Sequence, residues 1–271
     1  MNDIAAILEH GNPLAHRVCV LAATIIGGWF IARDSRAWTF SPLIRVNVLL
    51  VVALGGMIGS ALPGLIAGGV VGSMVNDLAN SHADGLVSFG TVALMGPKTV
   101  IGGVLGGFLA ICLFKRLASI TYDTSDAFAR GACLLMAIGR LGCVFQHCCF
   151  GCAVPNNQAT AVPPWFSVNQ GDGIARYPVQ IIELVAEIAV CMVIFWLHHR
   201  NLLAHRRLFI VFAVYGIIRF GLEFLREPMG TTWVGLNIYH VMALSMAFIG
   251  LWMLIKRRNW AQPELNRKMP A

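Results

Sequence analysis

Apolar residues run through this chain in long blocks, and polar residues collect between the blocks. Crossing the hydrocarbon core of a bilayer takes a helix of about 20 mostly apolar residues. Blocks of that kind cover residues 18–32, 46–64, 99–114, 127–144, 179–197, 208–225 and 238–255. They predict an all-α polytopic membrane protein with seven transmembrane helices, the first of them short. A further apolar, glycine-rich stretch at 65–75 is cut off by Asn76 and Asp77 and reads as a re-entrant or interfacial piece. No linker or internal repeat divides the chain, so residues 1–271 read as a single membrane-embedded domain.

Charge sets the orientation. Arg33, Arg36 and Arg45; Lys115, Arg116 and Arg130; Arg200, Arg206 and Arg207; and Lys256, Arg257, Arg258, Arg267 and Lys268 make 14 of the 20 basic residues. All four clusters fall on one side of the predicted spans, which the positive-inside rule makes cytoplasmic. The N-terminus is therefore expected outside and the C-terminus in the cytoplasm. The first 16 residues hold Asp3 and Glu9 but no Lys or Arg, the opposite of a signal peptide, so no cleavage is expected.

Composition agrees. Only 12% of residues are charged and 57% are hydrophobic, against about 25% charged in a soluble domain. That excludes a water-soluble, disordered, collagen-like or small disulfide-bonded protein. A net charge of +7 would suggest nucleic acid in a soluble chain. In a membrane chain it belongs to cytoplasmic loops and anionic lipid, so nucleic acid is not an expected partner.

Six basic residues lie elsewhere. Arg17 reads as an interfacial anchor. Lys98, Arg140, Arg176, Arg219 and Arg226 sit in spans or at their outer ends, where an arginine at mid-membrane costs roughly 2.5–3.5 kcal/mol. A cost repeated at five positions points to a shared purpose, the binding of something acidic.

Four motifs surround these residues. In residues 215–227, Tyr-Gly-Ile-Ile-Arg-Phe-Gly-Leu-Glu-Phe-Leu-Arg-Glu, the spacing puts Arg219, Glu223 and Arg226 on one helix face. Glu223 can fix the Arg219 rotamer, leaving guanidinium donors for a lipid phosphate; the plainer alternative is an internally neutral ion pair. Residues 139–152, Gly-Arg-Leu-Gly-Cys-Val-Phe-Gln-His-Cys-Cys-Phe-Gly-Cys, close the fourth span with Arg140 in its last apolar turns. Residues 176–183, Arg-Tyr-Pro-Val-Gln-Ile-Ile-Glu, open the fifth, with Gln180 and Glu183 on one face. Residues 95–107 carry Lys98 and four glycines, including Gly102 and Gly103, a flat surface for a neighbouring helix or a lipid chain.

Together these motifs resemble the prolipoprotein diacylglyceryl transferase family. Its signature Gly-Arg-x-Gly-Asn-Phe-x-Asn-Gly-Glu-x-x-Gly is matched at Gly139, Arg140, Gly142 and Gly151, with Ser125-Asp126 upstream at the family's spacing. Its Arg-His-Pro-x-Gln-x-x-Glu is matched from Arg176 to Glu183, with Tyr177 in place of His. Its Tyr-Gly-x-x-Arg-Phe-x-x-Glu-x-x-Arg is matched in full from Tyr215 to Arg226. The signature's Asn, Asn and Glu are replaced by Cys143, Gln146 and Cys148, and the family's His-Gly-Gly becomes Ile101-Gly102-Gly103. The arginine framework is kept while the proton-handling groups are exchanged.

The resemblance implies a multi-pass enzyme of the bacterial inner membrane, without a cofactor. It implies transfer of a diacylglyceryl group from phosphatidylglycerol to a prolipoprotein lipobox cysteine or another acceptor. Arg140 and Arg219 would bind the phosphate, Glu223 would orient Arg219, and Arg176 and Arg226 would serve the headgroup rim. Gln180, Glu183, Tyr215, Gly102 and Gly103 would line the substrate site, and Lys98, which has no obvious family counterpart, is a further candidate there. The base would be His147 or His240, whose ordinary pKa suits proton transfer near neutrality.

Four of the eight cysteines, Cys143, Cys148, Cys149 and Cys152, fall within ten residues on the expected outer side. An oxidising compartment favours a disulfide there, such as Cys143 or Cys148 with Cys152, with inert packing beside it as the leading reading. A reactive thiol, and zinc held by Cys149, Cys152 and His147, are the other readings. The remaining four cysteines read as small apolar residues. Two rival functions follow: a non-catalytic phospholipid-binding or transport protein, and a membrane thiol-redox or metal protein built on residues 143–152. The Pro- and Trp-containing loop 153–175 is expected to lie at the outer interface, over the site.

Overall fold

A computed structural model describes residues 13–33, 42–67, 99–120, 123–149, 151–154, 168–169, 174–226 and 235–257. Within them the chain forms helices α1 (Pro13–Ala32), α2 (Pro42–Ala67), α3 (Val100–Leu117), α4 (Ser125–Gln146), α5 (Val179–His199), α6 (Arg207–Glu223) and α7 (Ile238–Lys256). The strands β1 (Val168–Asn169) and β2 (Ala175–Arg176) form a short antiparallel ribbon, with Val168 opposite Arg176. The expected re-entrant piece at 65–75 falls largely outside the described residues.

Local chemistry starts and stops these helices. Proline, with a fixed φ and no N–H to lose, opens α1 and α2. Thr99 accepts a hydrogen bond from the Gly102 N–H at 3.2 Å and caps α3. Asn237 caps α7 in a reciprocal capping box with His240. His147 ends α4 in the left-handed conformation, φ +53°.

Six of the helices are long and apolar enough to cross a membrane: Leu14–Ala32, Leu43–Pro63, Val100–Leu117, Ser125–Gln146, Val179–His199 and Ile238–Lys256. The helix in the remaining predicted span, α6, has 17 residues and carries Arg207, Arg219 and Glu223. At about 1.5 Å per residue that is about 26 Å, short of a hydrocarbon core of about 30 Å. Large apolar side chains such as Leu21, Ile58, Val185 and Phe248 stand exposed on the outer faces, a surface that lipid covers and water would not.

Three antiparallel helix pairs are sealed by glycine. Between α2 and α3, a Cβ on Gly59 would stand 2.4 Å from the Gly102 carbonyl oxygen, and one on Gly106 would stand 2.4 Å from that of Gly55. Between α1 and α4, Gly27 meets Gly131; between α6 and α7, Gly216 meets Ala243 and Ala247, and Gly250 meets Ala213. Small residues let backbones approach closely where no hydrophobic effect drives helices together. Gly102 and Gly103, expected to meet a neighbouring helix or a lipid chain, face α2, where a Cβ on Gly102 would stand 2.2 Å from the Gly59 carbonyl oxygen. The pairs meet around α4, α5 and α6, where Met136, Ile194, Phe212 and Met246 form the core. Phe108 of α3 meets Phe212 edge to face at 5.1 Å.

The alternating helix directions create two polar ends. At one, Arg257 donates to Asp123 at 2.6 Å and to the His205 carbonyl oxygen at 2.8 Å. There too, Asp126 accepts from the His205 N–H at 2.8 Å and from Arg207 at 3.2 Å. This lock ties the start of α4 to the start of α6 and the end of α7. Ser125 and Asp126 belong to it, about 22 Å along α4 from Arg140. The Arg140 end is described below.

Gly106→Ala, which would drive its Cβ into the Gly55 carbonyl, should destabilise the protein by about 1–3 kcal/mol. A lowered melting temperature in detergent checks this. Gly28→Ala, whose Cβ would meet nothing within 4 Å, should leave the melting temperature unchanged.

Candidate functional site

Glu183, fully buried on the first turns of α5, is the centre of the second polar end. Arg140 of α4 donates from Nη2 to its Oε1. Arg219 of α6 donates to its Oε2 at 3.3 Å, and the Tyr215 hydroxyl donates to its Oε1, also at 3.3 Å. Arg226, just past α6, stands 3.7 Å from the same Oε2. Two helices thus deliver three guanidinium groups and a phenol to one carboxylate on a third.

Two more carboxylates frame it. The i,i+4 spacing on α6 sets Glu223 Oε2 2.7 Å from Arg219 Nη2, and Arg226 Nε stands 3.7 Å from that oxygen. Glu187, one turn beyond Glu183 on α5, stands 3.7 Å from Arg140 Nε. Three arginines and three glutamates therefore share one site almost closed to solvent. Burying a charge costs several kcal/mol, so pairing holds this geometry, and removing one member leaves its partner uncompensated. Several donors and acceptors remain open: Arg140 Nε and both Glu187 oxygens have no hydrogen-bond partner.

The α7 cap joins the cluster from a fourth helix. Asn237 donates from its side-chain amide to Glu223 Oε1 at 3.0 Å, while its Oδ1 accepts from the backbone N–H groups of Tyr239 and His240. His240 Nδ1 accepts from the Asn237 N–H at 3.2 Å. The same Nδ1 also stands 2.9 Å from Asn237 Oδ1, and Nε2 is buried and unpartnered. The Phe220 and Phe224 rings meet the imidazole edgewise.

The cysteine segment covers this end. The left-handed turn at His147 sends the chain back over α4, and Gln180 donates to the Cys148 carbonyl oxygen at 2.8 Å. Gly151 N–H donates to the Tyr177 carbonyl, and Cys152 N–H to that of Leu225 at 2.8 Å, lacing the segment between the start of α5 and the end of α6. Gly151 is the one residue that fits: a Cβ there would lie 2.6 Å from the Tyr177 oxygen and 2.8 Å from the Leu225 oxygen. Arg176 lies in β2, bridged backbone to backbone with Ala153.

All eight cysteines are free thiols. The expected disulfide to Cys152 is not formed; backbone hydrogen bonds hold the segment in its place. The Cys148 thiol is pushed up, and that of Cys149 pushed down, by hydrogen bonds with Cys143 and with each other. Arg226 and Arg140 add to the lowering at Cys149. His147 Nδ1 is buried without a hydrogen-bond partner. Lys98 and most of the loop 153–175 lie outside the described residues.

Of the matched motifs, Arg140, Glu183, Tyr215, Arg219, Glu223 and Arg226 meet in this one cluster. The family model for prolipoprotein diacylglyceryl transferase matches residues 15–256. The chain belongs to that family. A phosphatidylglycerol–prolipoprotein diacylglyceryl transferase of Methylobacillus flagellatus is 29% identical over 255 residues, 91% of each chain. One of Clostridium perfringens, numbered 2, is 25% identical over 215 residues, 78% of this chain and 77% of its own. One of Corynebacterium efficiens is 24% identical, covering 87% of this chain and 74% of its own.

In this member of the transferase family, sequence reasoning missed Glu187 and Asn237. Both had a signal. Glu187 is a second acid at i+4 in a membrane-spanning block, a position that needs a partner. Asn237 stands three residues before His240 at the opening of an apolar run, the spacing of a helix cap.

Gly151→Ala should break the two lacing hydrogen bonds, destabilise the protein by about 1–3 kcal/mol and expose residues 147–152 to protease. Gly139→Ala, whose Cβ would meet nothing within 4 Å, should do neither. Thermal melting and limited proteolysis in detergent check both.

Proposed function

We propose that this protein transfers a diacylglyceryl group from phosphatidylglycerol to the thiol of a prolipoprotein lipobox cysteine. The convergence of Arg140, Arg219 and Arg226 on Glu183 carries this reading. The names of the relatives, which state that donor and that acceptor protein, support it. The acceptor thiolate attacks the glyceryl carbon that bears the phosphate. The carbon–oxygen bond breaks, and glycerol phosphate leaves with the electron pair.

Arg140 and Arg219 hold the phosphate, and Glu183 and Glu223 fix their rotamers. Pre-positioned donors of this kind stabilise the charge that grows on the leaving group. Arg226, paired only at 3.7 Å, keeps donors for the headgroup rim, where Arg176 serves as well. His240, whose Nε2 has no partner, donates from that nitrogen to the departing phosphate. His147 takes the thiol proton.

An apolar groove of 390 Å³ between α4 and α5 accepts one acyl chain. Leu141 and Leu184, two of its lining residues, directly follow Arg140 and Glu183 in the sequence.

All seven helices cross the bacterial cytoplasmic membrane as one domain, with the N-terminus and the Arg140 end outside and the C-terminus inside. The four basic clusters support this orientation. The competing reading is phospholipid binding without chemistry, favoured by the fact that each guanidinium already has a carboxylate partner.

Reconstitution with phosphatidylglycerol and a lipobox peptide should add the mass of a diacylglyceryl group to the peptide thiol. Arg140→Ala or Arg219→Ala should lower that rate by about 10²-fold or more. If wild type binds the lipid, His147→Ala binds it equally, and neither turns over, the binding-only reading replaces this one. Alkaline phosphatase fused after Thr160 should be active and fused after Leu203 inactive; the reverse pattern would overturn the orientation.

A further inference from the structure

Outside the arginine–glutamate cluster, a second set of side chains converges at the same end of the bundle. His16 of α1, Cys143 near the end of α4 and Cys148 just beyond it present three ligand atoms within 4.8 Å of one another. His16 Nδ1 is buried and has no hydrogen-bond partner. A buried, unpartnered ring nitrogen is costly unless something occupies its lone pair. Gly142 brings α1 this close: a Cβ there would stand 2.9 Å from Cys19 Cβ and 3.0 Å from His16 Nδ1. The turn at His147 folds Cys148 back, so that its N–H donates to the Cys143 carbonyl at 3.2 Å. Cys149, which follows it, also has positive φ.

We propose that His16, Cys143 and Cys148 bind one Zn²⁺ ion as its three protein ligands. Zinc–sulfur bonds of about 2.3 Å and zinc–nitrogen bonds of about 2.0 Å set tetrahedral ligand atoms roughly 3.5–3.8 Å apart. Rotamer shifts of about 1 Å bring the triad to that spacing. Thiolate and imidazole with no carboxylate select a soft ion over Mg²⁺ or Ca²⁺. Each ligating thiol gives its proton to the buffer as the ion enters. The ion ties the start of α1 to the segment that covers the arginine cluster, doing by coordination what a disulfide would do by a covalent bond. This ligand set differs from the one the sequence suggested: Cys152 is held by its backbone, and His147 is not among the converging groups.

The test uses the full chain in detergent, loaded with zinc sulfate, desalted and analysed by elemental mass spectrometry. One zinc per chain is expected. His16→Ala and Cys148→Ser should each weaken binding at least about tenfold, and Cys152→Ser should leave it unchanged. His16→Cys, which restores a ligand, should retain zinc and so separates lost coordination from misfolding. Cobalt loading should give a sulfur-to-metal charge-transfer band that Cys148→Ser removes. Zinc no higher than in the Cys143→Ser/Cys148→Ser double variant would overturn the proposal. So would wild-type affinity in His16→Ala, or a Cys143–Cys148 disulfide in the protein as isolated. None of these readouts needs lipid or turnover, so they stand apart from the transfer reading.

Discussion

The buried carboxylate of Glu183 is the constraint around which this molecule is arranged. Placing a carboxylate beneath the end of a helical bundle, out of reach of water, is tolerable only if cations come to it, and they come from separate helices. Arg140 must arrive from α4 and Arg219 from α6, so neither helix can rotate or slide without stranding a charge. Tyr215 adds a neutral donor, and Asn237 carries the restraint through Glu223 to the start of α7. The outcome is a rigid array of guanidinium groups held by acids rather than by ligand.

That rigidity sets what the site can do. With three arginines balanced by three glutamates, the site holds no large excess of positive charge, yet it offers donors in fixed positions. Such preorganisation favours charge that develops during a reaction, because the groups need not reorient when it appears. The cysteine-rich segment lies over this array, fastened by backbone hydrogen bonds and by Gln180. Its conformation depends on two left-handed residues, His147 and Cys149, and on Gly151, where any side chain would strike backbone oxygens.

The opposite end works by the same physics with a different purpose. Asp123, Asp126, Arg207 and Arg257 are satisfied mainly by each other and by backbone groups of the α5–α6 turn. Between the two polar ends, helices meet through glycine because lipid offers no hydrophobic drive for their association. The bundle is therefore pinned by ions at both ends and by close backbone contact between them.

Apolar block length and the distribution of Lys and Arg were enough to mark a membrane protein and to place its helices within a few residues, since the bilayer imposes both. The helix at the sixth expected span, α6, is the shortest of the seven, and its polar residues belong to the two end clusters. The spacing of Arg219, Glu223 and Arg226 disclosed a shared face because helical periodicity is local. What lay opposite that face was not legible. That Glu183 takes Arg140, Arg219, Arg226 and Tyr215 together, that Gly102 and Gly103 meet α2, and that the cysteines stand as free thiols all came from the tertiary structure. Partner choice across helices depends on how whole helices rotate and cross, and that follows from the packing of the entire bundle. One dimension determined which residues were costly to bury; only three dimensions decided which of them compensate one another.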